Sequence, residues 1–487
     1  MTTYPFDTPP PGLLGELADF LYRAANRPVP EIALAGSIAY LAGVTGRAFN
    51  VSDTGLNQYV LLVAGTGRGK EGARSGVQKF IAHAKGNSWH DFDIPNQLPI
   101  LDEYMGPADI ASGQALIRNI GKQRSCASFV GEFGYTMQRI SHPRASSSDV
   151  MLLKVLLDVF MLSGEHSVLE PTVYSDKANN TEAVDSPAFS LYGETSPGTL
   201  YEGASVRMIA NGFLPRFLPI FYEGPRVPQN ADAATALPTR AMVQRFAELV
   251  TFCTSMNARN EAVKVEIAPE AVPFIAPRGE VDTHADAIIN DEAMSVVTTE
   301  LWNRAHLKTL KLAALVAVGR EHKHPVITLA DAQWAYAVVK HGIVALTDKF
   351  DAGEVGSTTD DATQKKVLAA TVRKYLVSEY QALGKYCRAS RSMHADHIIP
   401  LSYLQASLLQ NKAFVNDRRG ANDALKRTIQ SFIDAGDLQE LGRGDMQKYG
   451  KRGQAYAISN SAGFVEAAEA EVQERSGGVF FDKPSSE

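Results

Sequence analysis

Cysteine is scarce in this chain. Its 487 residues hold three, Cys126, Cys253 and Cys387, an odd number at wide spacing that argues against a disulfide framework and a cysteine zinc cage. Each is read as a small buried apolar residue. Also missing is any uninterrupted apolar run of roughly 18 residues, which a membrane-spanning helix needs. The opening residues, MTTYPFDTPPPG, hold neither a basic stretch nor an apolar signal core, so a cytoplasmic location and no membrane partner are expected. A dominant charge sign is lacking too: 48 Lys and Arg face 54 Asp and Glu, a net charge of −6.

What is present is ordinary for a folded protein, with 45% hydrophobic and 21% charged residues, and the length calls for two or three domains. The charge is unevenly placed. Residues 363–459 carry 16 Lys and Arg against 8 Asp and Glu, so a basic module is attached to an acidic body.

Hydrophobic periodicity divides the chain further. Residues 1–49 read as a helical segment, in which Leu14, Leu17 and Phe20 share one face and Ile32, Ala35, Ile38 and Ala39 share the next, across a break at Pro28 and Pro30. Residues 50–238 read as an α/β core with a mainly parallel sheet, because Gln58 to Ala64 is a continuous apolar run of the kind buried on both faces. Further strands are expected over 125–129 and 188–192. Residues 239–350 look helical, a lid on which Leu307, Leu310, Ala314 and Ala317 form one face and Arg304, Lys308 and Lys311 a basic stripe on another. A small, polar, acidic stretch, 351–362, reads as a linker.

Beyond it, residues 363–460 predict three helices closed by a hairpin, a winged-helix arrangement for DNA. Leu425, Ile429 and Phe432 would pack inward, while Lys426 and Arg427 stay available for a nucleic-acid backbone. Arg418 and Arg419 precede that helix, and Arg443, Lys448, Lys451 and Arg452 surround the hairpin tip; such a set makes binding fall with salt. His394 and His397 have no cysteines near them and are assigned to a loop rather than a metal. Residues 461–487 form an acidic tail that is a candidate dock for replication proteins.

The apolar run at 58–64 ends in AGTGRGKEG, residues 64–72. Glycine lets a backbone curl until successive N–H groups face one anion, and a following helix adds its positive end. Gly65, Thr66, Gly67, Arg68, Gly69, Lys70, Glu71 and Gly72 are therefore the candidate ATP-binding residues, with Lys70 reaching the terminal phosphates. Two positions depart from G-x-x-x-x-G-K-[ST]: Ala64 replaces the first glycine and Glu71 the hydroxyl residue. A catalytic acid is also needed, at a strand end. Asp102 and Glu103 in ILDE have the better letters, and Glu132 in FVGEFG has the better strand. Glu132 is favoured, and Gly131 then stands where a first acid is expected. Glu71 and Glu132 become the candidate Mg²⁺ contacts, because this hard cation takes oxygen ligands.

On LLVAGTGRGKEG, FVGEFG, FSLYGETSPGTLYEG, NGFLPRFLP and WNRAHLKTLKLAALVAV, the chain resembles a family of phage and plasmid P-loop ATPases labelled helicase or primase-helicase, with RecA-like or AAA-type features. The resemblance spans about residues 50 to 345. It implies that Lys70 binds phosphate, that Glu132 is the catalytic acid, that Thr195 senses the γ-phosphate and that Arg216 is a finger reaching a neighbouring subunit; Arg304 is a second candidate. A DNA helicase or translocase follows, working as a homo-oligomer, a hexameric ring, in the host cytoplasm. The alternatives are an ATP-switched DNA-binding initiator or loader, and a regulatory ATP-binding protein with negligible turnover.

Overall fold

The computed structural model describes residues 4–85, 103–142, 145–173, 180–203, 206–291, 294–351, 360–383, 389–415, 417, 420–451 and 453–459. Asp102, Cys387, Arg418, Arg419, Arg452, the acidic tail and most of the linker lie outside them. Two compact units divide the chain, residues 1–356 and 357–487.

The first unit is built on four parallel strands: β1 (Tyr59–Ala64), β2 (Ser125–Val130), β3 (Ala188–Thr195) and β4 (Phe217–Tyr222). Their order is β2-β3-β1-β4. Every residue of β1 and β2 is buried, as expected of strands covered on both faces. Reading from sequence missed β4, because Pro219 interrupts it; β4 lies at the end of the ladder, where a missing N–H is tolerated. The order has a consequence for chemistry. It inserts β3 between β1 and β2, so the C-terminal end of β3 lies between the glycine loop and the Glu132 turn.

Helices cover the sheet. Helix α1 (Leu13–Ala24) and α2 (Pro30–Thr45) are separated at the proline break, with Pro30 opening α2. Helix α2 is buried from Glu31 to Thr45 and packs across all four strands, as an all-round apolar helix must. Helix α3 (Gly72–Lys85) follows the glycine loop and packs on α1 and α2. The expected lid shares the same core: helices Arg240–Arg259 and Ala305–Arg320 contribute Phe246, Leu249, Leu312 and Leu315 to one continuous apolar cluster.

One expectation is corrected there. Lys308 and Lys311 form no exposed basic stripe, being 2% and 0% accessible. Their amines are held by oxygens inside the protein: Lys308 Nζ donates to the Phe217 carbonyl at 3.0 Å, and Lys311 Nζ to Asn57 Oδ1 at 2.6 Å. A flexible four-carbon stem lets a lysine on a buried face reach such partners, which a helical wheel does not reveal.

The second unit has helices Asp360–Val377, Leu401–Leu408 and Ala421–Asp434, and an antiparallel sheet in which Ala455–Ile458 runs between Ile398–Pro400 and Leu438–Glu440. A short helix, Arg443–Lys448, occupies the connection expected to be a plain hairpin tip. Its core gathers Leu368, Val372, Tyr375, Ile399, Leu404 and Leu425. His394 sits in a helical turn rather than a loop, its ring nitrogen 2.9 Å from the Tyr375 carbonyl.

Candidate functional site

At the C-terminal end of β1 the chain curls with positive φ at Gly67 (72°) and Gly69 (93°), a conformation glycine adopts without strain. Gly69 is doubly constrained, since a Cβ there would stand 2.8 Å from the Arg27 carbonyl oxygen. The loop's own backbone bonds run from Arg68 N–H to Gly65 O and from Gly72 N–H to Gly69 O. Among the described residues the amides of Gly67, Gly69, Lys70 and Glu71 take no backbone partner, and α3 begins directly behind them. Unpaired amides at a helix start form an anion cradle. Lys70, 8% accessible, lies at its base, with Nζ 3.7 Å from Glu132 Oε1.

Glu132 leaves β2 in the left-handed region, φ 49° and ψ 38°, ahead of helix α4 (Phe133–Ser141). A non-glycine residue held there is strained, and such strain concentrates at functional turns. Its carboxylate stays largely exposed while contacting the buried Lys70. Glu71, also exposed, follows Lys70 in the loop.

The structure adds two residues to this group. Glu194, near the end of β3, has its carboxyl pushed up from the usual range, first by burial and then by Glu132 and Glu71, against the opposing pull of Lys70 and Arg74. The Arg226 guanidinium lies over the loop, its Nε 3.8 Å from where a Gly67 Cβ would be. Glu194 had a signal in the sequence, the Gly-Glu-Thr that ends an apolar run. Arg226, following the unforeseen β4, had none.

Other expected residues go elsewhere. Thr195 points to the opposite face of β3 from Glu194; it is fully buried, its Oγ1 donates to the Ser196 carbonyl at 3.2 Å, and it packs against Gly134. Arg216 stands just before β4, whose first residue pairs with Tyr59 at the start of β1. It is therefore one strand length, about 20 Å, from the glycine loop, too far to reach a phosphate held by its own Lys70. Its Nη1 donates to the Gly212 carbonyl at 2.5 Å, and the group borders a cleft of about 690 Å³ with Lys154, Asp158 and Glu170. Burial, then the adjacent Arg304, lowers its pKa to about 10.

In the second unit, Lys426 and Lys448 are exposed and Lys451 is half-exposed, while Lys448 is 3.2 Å from Asp445. Arg427 is paired with the buried Asp417, which also accepts from Gln364 Nε2 at 3.1 Å. Arg443 opens its short helix.

Among the described residues no three His, Cys, Asp or Glu side chains converge as a metal cage. Glu71, Glu132 and Glu194 stand around Lys70 and bring to it carboxylate oxygens, the donor type that a hard cation takes. No helix among the described residues is long and apolar enough to cross a membrane.

Fold and site thus define an α/β protein whose parallel sheet ends in a glycine-loop anion cradle with a buried lysine. No protein-family model matches the chain, and no curated protein matches it. Among solved structures it is similar to a full-length MCM homolog from Methanopyrus kandleri, at 12% identity and a TM-score of 0.33, over 69% of this chain and 62% of that one. It is also similar to the Aeropyrum pernix ORC2 protein, at 12% identity and a TM-score of 0.20, over 92% and 94%. Likenesses at these values add nothing to the reading of the site, which rests on the residues above.

Proposed function

We propose that the chain is an ATPase that binds Mg²⁺·ATP at the glycine loop and works on DNA as a ring-shaped oligomer, a helicase or translocase of phage or mobile-element replication. The observation that carries this reading is the set of unpaired loop amides around the buried Lys70, with Glu132 3.7 Å from the amine. Lys70 and the amides hold the β- and γ-phosphates, where charge spreads during transfer. Glu132 orients the attacking water. Bound Mg²⁺ supplies further neutralisation of the phosphate oxygens.

The distance of Arg216 from its own loop supports assembly. In this reading Arg216, which does not reach its own loop, serves the nucleotide of a neighbouring subunit, and a head-to-tail contact whose rotation closes gives a ring. A hexamer is the form proposed. The three helices and antiparallel sheet of residues 357–487 are read as a winged helix, with Lys426, Lys448 and Lys451 toward the DNA backbone. The acidic tail is offered to a replication partner.

The test is a pair of variants. Lys70→Ala should abolish ATP binding and turnover, and Arg216→Ala should bind ATP but lose turnover. Mixing the two should restore activity, because an intact loop then meets an intact arginine across an interface. An unchanged Lys70→Ala protein rejects the nucleotide site, and a mixture no better than its components rejects the trans arginine. Unwinding of a forked duplex separates the translocase from an ATP-switched initiator or loader.

A further inference from the structure

The turn after β2 has no first acid. Position 131 is glycine, and the side chain expected to face the cation's water shell is missing. The register explains what stands there instead. Val130 pairs with Gly193, so residues 131 and 194 leave adjacent parallel strands side by side. A Cβ built on Gly131 would lie 3.6 Å from Glu194 Oε1, in ordinary van der Waals contact, so this carboxylate stands directly beside the point where a side chain at 131 would begin.

Three further observations agree. Side chains alternate along a strand, which sends Thr195 away toward α4 and leaves Glu194 on the face of the glycine loop. Lys70, Glu132 and Glu71 all lie close enough to Glu194 to act on its charge, so the carboxylate belongs to the cluster at the glycine loop. Two residues back on the same face, Tyr192 is 1% accessible, and its hydroxyl has no hydrogen-bond partner among the described residues. A buried donor left without a partner is costly, and this one stands on the Glu194 face of β3, close enough for Glu194 and Glu71 to act on its charge.

We propose that Glu194 takes the place of the acid that residue 131 lacks and that its carboxylate, supplied from β3 rather than β2, holds the water shell of the nucleotide's divalent cation. Glycine at 131 and glutamate at 194 are then two halves of one arrangement: a second carboxylate at 131 would stand beside Glu194, and like charges in one site repel. The inference rests on the glycine loop being a nucleotide site.

The experiment uses the 487-residue chain and a fluorescent non-hydrolysable ATP analogue, whose binding is measured in EDTA and across a Mg²⁺ titration. Glu194→Gln keeps the size of the side chain and should leave metal-free affinity within about threefold while raising the Mg²⁺ midpoint about tenfold or more, the usual cost of losing a metal-orienting partner. Glu194→Ala should do the same. The relocated carboxylate, Gly131→Asp with Glu194→Gln, should bring the midpoint back toward wild type. A Mg²⁺ midpoint unchanged in both single variants overturns the proposal. So does an equal loss with and without metal, which would make Glu194 a partner of Lys70 only. Lys70→Ala separates the two levels: if it binds the analogue as wild type does, the nucleotide reading itself fails, whereas a Lys70-dependent site with an unaltered Mg²⁺ midpoint in Glu194→Gln sinks this assignment alone.

Discussion

Replacing Lys311 by methionine should flatten the pH dependence of stability near neutrality. Lys308 and Lys311 are fully enclosed, and desolvation, aided by Arg304, lowers both to about 7 from an ordinary 10.5. Between those values each is neutral in the folded protein and charged in the unfolded chain. Unfolding then takes up a proton, so stability rises as pH climbs from about 7, and below that the lysines' contribution to the slope vanishes. The gain is about 1.4 kcal/mol per pH unit for each lysine, or about 2 kcal/mol each from pH 7 to 8.5. Above about 8.5 the thiols of Cys126 and Cys253 ionise in the unfolded chain but are held neutral by burial in the fold, and they oppose the rise. The useful window therefore ends there. Methionine keeps the apolar stem, and Asn57 Oδ1 retains a donor in the Ser163 hydroxyl at 2.7 Å, so the variant should fold. All three tryptophans, Trp89, Trp302 and Trp334, belong to the first unit, which makes urea unfolding followed by tryptophan fluorescence specific to it. Lys311→Met should show about half the wild-type slope, and the double variant with Lys308→Met almost none. Parallel lines for all three proteins would show that these amines do not titrate as argued.

Two other outcomes test the loop and the basic module. Gly69→Ala forces a side chain into a positive-φ position against the Arg27 carbonyl; it should cost about 1–3 kcal/mol in denaturant unfolding and weaken nucleotide binding, and a protein unaffected in both would mean that the loop relaxes freely. In the second unit, Arg427→Ala should destabilise by about 1–3 kcal/mol because the buried Asp417 loses the charged hydrogen bond that the guanidinium gives it. Lys426→Ala should leave stability alone and reduce the salt dependence of DNA binding by about one phosphate contact; a reversal of those two effects would move the DNA face to Arg427.

Local signals were sufficient for the loop and its flanks. A continuous apolar run, three glycines and a lysine within a dozen residues specify strand, curl and helix start, because each depends on neighbours in the chain. The same holds for the proline break between α1 and α2. Non-local relations needed the folded coordinates. Glu194 reaches the vacant position of Gly131 only because β3 inserts beside β2, a pairing across more than 60 residues of sequence. Arg216 is separated from Lys70 by the length of parallel strands, and no spacing in the chain records that direction. Lys308 and Lys311 look solvent-facing on a helical wheel, yet the surrounding core encloses them beside oxygens supplied by Phe217 and Asn57. Short-range propensity thus determined where a phosphate cradle could form. Tertiary packing alone decided which acids surround its lysine and which cations are sealed from water, since burial and charge proximity are properties of the assembled fold.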